Sequence, residues 1–69
     1  MVSTEPKVDP RGLYGIKETA ALLGVALSTI TRASNTSDPD RRIEWHIRKQ
    51  SGRRVYLGSD IIDYWRRIY

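Results

Sequence analysis

Residues 16–34 read IKETAALLGVALSTITRAS, two runs of apolar residues on either side of a glycine. Ile16, Ala20 and Leu23 recur at helical spacing, and Gly24 stands where a left-handed residue closes a helix. The stretch therefore predicts a first helix over 16–23. Gly15 is an N-cap without a side-chain acceptor, so Glu18 can supply only its half of a capping box. After Gly24-Val25-Ala26 the pattern resumes over 27–34. There Val25, Ile30 and Ala33 form the apolar side and leave Ser28, Thr29, Thr31 and Arg32 outside.

Two short helices joined by about three residues, with glycine opening the joint, are the signature of a helix-turn-helix. Downstream, Asn35 to Arg42 (NTSDPDRR) has the composition of a loop closed by Pro39. Ile43, Trp45 and Ile47 then alternate with Glu44, His46 and Arg48, and Val55 and Leu57 alternate with Arg54 and Tyr56. This is the period of half-buried strands. Lys49-Gln50-Ser51-Gly52-Arg53 lies between them, so the two strands read as a hairpin turned at Gly52 with a basic tip. Ser59 offers an N-cap, Asp60 suits the first turn, and Ile61, Ile62, Trp65 and Ile68 predict a last helix over 60–68. Trp45 and Trp65 are assigned to the core, and His46 to the exposed side of its strand. Upstream, Pro6, Pro10 and the polar residues between them predict a disordered arm over 1–12, with the ordered domain over 13–69.

Size and charge bound the function. The chain has 69 residues, 39% of them apolar, and no cysteine. That is room for one small core, not for a multidomain enzyme. There is no disulfide framework or thiolate cluster, and the single histidine, His46, makes no metal site. Asp60 and Asp63 have no companion histidine or glycine-rich loop, so capping and solvation explain them. No catalytic constellation is present; the expectation is a binding protein with no enzyme activity, cofactor, metal or small-molecule substrate. The lack of cysteine, of a long apolar run and of a signal-peptide core predicts a soluble, cytoplasmic chain. Residues 1–40 hold four basic and five acidic groups, whereas 41–69 hold eight and three. Six of those eight fall between Arg41 and Arg54. With a pI near 9.9, a polyanion is the natural partner to consider.

The order helix, turn, helix, loop, basic hairpin, helix resembles the winged helix-turn-helix DNA-binding domains of the excisionase and MerR-like group. The residues that carry the resemblance are Glu18, Ala20, Leu23, Gly24, Val25, Ile30 and Arg32, then the basic turn QSGRR and the run VYLGSDIIDYW. Together they cover about residues 13–68. Two departures stand out. Ala26 occupies the place of a capping serine or threonine, so helix 2 should fray at its start or be capped two residues later by Ser28. The loop over 35–42 is also longer than the few residues usual before the wing.

The resemblance implies a mostly α fold with a small β-hairpin: helix, turn, helix, two-stranded antiparallel wing and C-terminal helix. It also implies a recombination directionality factor, encoded by a phage or mobile element in a prokaryotic host. Such a protein binds double-stranded DNA, self-associates cooperatively on it, bends attachment-site DNA and helps a cognate integrase in excision. A small transcriptional regulator or a phage terminase-type DNA-recognition module shares the architecture, and a protein-interaction adaptor is the alternative from another class. Groove geometry assigns the roles. Ser28, Thr29, Thr31 and Arg32 would meet the major groove, with Arg32 as the main specificity residue. Arg48, Lys49, Gln50, Ser51, Arg53 and Arg54 would form the wing and contact phosphate or the minor groove, and Lys17 would hold a further phosphate. The plainer alternatives are a solvated hairpin end and an ordinary helix surface.

Overall fold

In a computed structural model describing all residues 1–69, helix α1 spans Ile16–Leu23 and helix α2 spans Leu27–Asn35. The joint between them is as the sequence predicts. Gly24 adopts φ 68°, its N–H donates to Ala21, and the Val25 N–H donates to Ala20 at 3.0 Å. This is a Schellman closure, which needs a residue at ease in the left-handed region. Ala26 precedes α2 and makes no side-chain cap; Ser28 does not cap the helix either.

The sheet differs from the expected two-stranded wing. Three strands, β1 (Leu13–Gly15), β2 (His46–Arg48) and β3 (Arg53–Leu57), form an antiparallel sheet in the order β1-β3-β2. With helix α3 (Gly58–Ile68), the fold is a mixed arrangement of three helices and three strands. Gly52, at φ 67°, makes the β2–β3 turn. Strand β2 is shorter than its alternation suggests, because the Ile43 N–H donates to Ala33 and ties that residue to the end of α2 instead of to β3.

Ala20, Leu23, Ile30, Ala33, Ile43, Tyr56, Ile61 and Tyr64 make the core. Trp45 and Trp65, expected inside, sit at its rim. Each indole N–H must reach an acceptor, and finds one at the core edge: Ser34 O at 2.9 Å and Val2 O at 3.0 Å. Tyr56 fills the centre, fully buried as the core anchor its aromatic ring suggests although the strand alternation groups it with Arg54, whereas Ile47, expected inside, is 51% exposed.

Residues 1–12, expected as a disordered arm, are packed against both outer helices. The Val2 N–H donates to Leu23 at the end of α1 (2.9 Å), and Arg66 pairs with Glu5 at 3.0 Å. At the start of α3 the Gly58 N–H donates to Gly12 O and the Ser59 N–H to Pro10 O. These carbonyls supply what the expected Ser59 cap would have supplied, so α3 begins earlier, at Gly58, without a side-chain cap. The approach is so close that a Cβ at Gly58 would lie 1.9 Å from the Asp9 carbonyl oxygen. No helix is long and apolar enough to cross a membrane.

Candidate nucleic-acid interface

Helix α2 buries one stripe, Ile30, Ala33 and Ser34. At about 100° per residue, the opposite ridge is Ser28, Arg32 and Asn35, with Thr29 and Thr31 on its two flanks. All five are exposed. The Thr31 hydroxyl donates back to the Leu27 carbonyl at 3.2 Å. No hydrogen bond or ion pair engages the side chains of Ser28, Thr29, Arg32 or Asn35, so a cation, two hydroxyls and an amide are free toward solvent.

What holds the hairpin to this helix is a buried polar junction. The Ser34 hydroxyl donates to Ile30 O at 2.8 Å, which commits its one proton, so the Tyr56 hydroxyl donates to Ser34 Oγ at 2.6 Å. The Trp45 indole N–H donates to the carbonyl of the same serine. Three side chains thus clamp the base of the hairpin to the last turn of α2.

Register divides the hairpin cations between two faces. Ile47 pairs with Arg54 and Arg48 with Arg53. Directly paired residues share a face and successive ones alternate. Arg54 lies on the face of Tyr56, toward α2, with its guanidinium 4.5 Å above the Trp45 ring. That stacking half-buries it and restrains its side chain. Arg48 and Arg53 stand on the other face. A groove of about 880 Å³ opens beside β3 where β1 ends at Gly15, and Lys17, Arg48, Ser51, Arg53 and the edge of Arg54 line it with Glu18. Lys49 and Gln50 are exposed at the tip.

The structure therefore gathers Lys17 with the β2–β3 hairpin, and Thr29 and Arg32 with a second, smaller groove beside the 36–42 loop and α3. That loop is pinned by Arg67, whose guanidinium donates to the carbonyls of Pro39 and Arg42 and pairs with Asp63 at 3.2 Å. Arg42 in turn donates to Thr36 O at 3.1 Å. Sequence reasoning missed Asn35 by ending the helix one residue early. Its position three after Arg32 and seven after Ser28 was the available signal. His46 is exposed as expected, with Asp60 at 3.7 Å. Of the buried tyrosines, Tyr64 has its ionisation pushed above the ordinary range by burial, partly offset by Arg67.

No family model, curated protein or solved structure matches the chain.

Proposed function

We propose that this chain is a double-stranded DNA-binding protein of winged helix-turn-helix type, with α2 in the major groove and the β2–β3 hairpin as the wing. The observation that carries the reading is the exposed polar ridge of α2, with its unengaged Arg32, clamped through Ser34, Tyr56 and Trp45 to a basic hairpin. A helix in a groove about 12 Å wide needs the backbone held beside it, and a rigidly attached cationic hairpin can do that. Arg32 reads a base edge. Lys49, Gln50 and Arg54 meet the duplex beside α2. Lys17, Arg48, Ser51 and Arg53 line the groove beside β3, a second cationic surface that a duplex curving past the hairpin would meet. This distribution supports the bending expected of an excision factor.

By the resemblance in its sequence, the chain acts in the cytoplasm of a prokaryotic host. It occupies repeated sites next to one another and shapes attachment DNA for an integrase, with no chemistry of its own. The test is fluorescence anisotropy on duplex DNA from the chain's own genomic neighbourhood and on scrambled duplex, across salt, followed by footprinting. Binding with a sequence preference that survives near-physiological salt and protects repeated segments supports the reading, and excision with the cognate integrase is then assayed. Absence of binding to either duplex at low salt refutes it. A single protected site without repeats points instead to a small regulator.

A further inference from the structure

We infer that Asn35 is a second base-reading residue, and that with Arg32 it selects a guanine and an adenine in neighbouring base pairs. The inference rests on the DNA-binding reading of α2 above. Asn35 closes the exposed ridge that begins at Ser28, its side chain is exposed, and its amide has no hydrogen-bond partner in the protein. The helix holds it in place, since the Thr36 N–H closes the last turn on Arg32 O at 2.9 Å and the Trp45 and Ile43 bonds anchor the residues just before it.

The spacing fixes what the ridge can read. At about 1.5 Å rise per residue, Arg32 and Asn35 are roughly 4.5 Å apart along the axis, and Ser28 to Asn35 spans about 10 Å. With base pairs stacked about 3.4 Å apart, the first distance corresponds to one or two base pairs and the second to about three. A guanidinium matches guanine O6 and N7 bidentately, and a carboxamide matches adenine N6 and N7 in the same way. The hydroxyl of Ser28, at the far end, tolerates several bases. The ridge is thus built for a short site with two adjacent purine contacts and one degenerate position.

The experiment is selection of binding sites from a randomised duplex pool by the full chain and by Asn35→Ala, Asn35→Asp and Arg32→Ala. Asn35 is exposed and bonded to nothing through its side chain, so these variants leave the fold intact. The wild type should enrich guanine and adenine one or two positions apart. Asn35→Ala should keep the guanine and lose about tenfold preference for the adenine, Arg32→Ala should do the reverse, and Asn35→Asp should turn the adenine toward cytosine, whose amino group a carboxylate accepts. Replacing the selected adenine by 7-deazaadenine should weaken the wild type about tenfold and leave Asn35→Ala unchanged. Retention of the adenine by Asn35→Ala, or indifference of the wild type to 7-deazaadenine, overturns the inference while leaving DNA binding intact. A wild-type pool with no enriched sequence overturns the DNA-reading proposal itself.

Discussion

The junction between α2 and the hairpin can be tested by removing its two hydroxyls one at a time. In Tyr56→Phe the Ser34 hydroxyl keeps its bond to Ile30 O and loses only an incoming donor. The loss is one neutral hydrogen bond, about 1 kcal/mol. In Ser34→Ala the Tyr56 hydroxyl, in a fully buried side chain, is left with no acceptor. An orphaned buried donor costs about 1–3 kcal/mol, so this smaller change in volume should be the more damaging one. For a domain of this size each kcal/mol lowers the melting temperature by roughly 4–8 °C. Thermal melts of the two single variants and the double variant at one pH therefore have an expected order. Tyr56→Phe falls by a few degrees, Ser34→Ala falls further, and the double variant melts above Ser34→Ala because no orphan remains. The coupling from the cycle should exceed the Tyr56→Phe loss, at roughly 1–2 kcal/mol. If Ser34→Ala is the milder change, or if the two losses simply add, the junction does not hold the hairpin in the way described.

Three further outcomes follow from other parts of the molecule. Gly58→Ala places a methyl against the Asp9 carbonyl at 1.9 Å and should lower stability by roughly 1–3 kcal/mol in denaturant titration; an unchanged midpoint would mean that residues 9–12 do not pack there. Arg48→Ala with Arg53→Ala should reduce the slope of log affinity against log salt by about 0.9 for each phosphate that is no longer neutralised, without changing the selected sequence; a changed sequence with an unchanged slope would assign them to base reading. Tyr64 has a raised folded-state value, so its burial contributes stability that is fully present below its ordinary value of 10.0 and is lost as pH rises through the folded value. Between about pH 9 and pH 11 the melting temperature should fall less for Tyr64→Phe than for the wild type, and parallel declines would contradict the burial.

What could be read in advance was what local chemistry determines. Helix α1, its closure at Gly24 and nearly all of α2 follow from apolar spacing and one left-handed glycine, all within about twenty residues of chain. The N-terminal segment was not legible, because its attachment uses backbone carbonyls at Pro10 and Gly12 and the indole of Trp65, partners that no local pattern announces. The same carbonyls displaced Ser59 from the cap its side chain would otherwise have made. The third strand escaped for a related reason, since Leu13–Gly15 is too short to alternate and is a strand only because β3 lies beside it. The candidate site divides along this line too. That Ser28 and Arg32 face outward follows from helical period alone, but which hairpin arginine faces α2 depends on the register that pairs Ile47 with Arg54. A slip of one residue would exchange the two faces and carry Arg53 toward the helix in place of Arg54. Tyr56 is what forbids the slip: its hydroxyl must reach Ser34, and no neighbour on the strand has a hydroxyl to offer. The buried junction therefore sets the disposition of the exposed charges, and under the proposed DNA-binding reading a change at Ser34 or Tyr56 should alter affinity for duplex without removing any residue proposed to meet it.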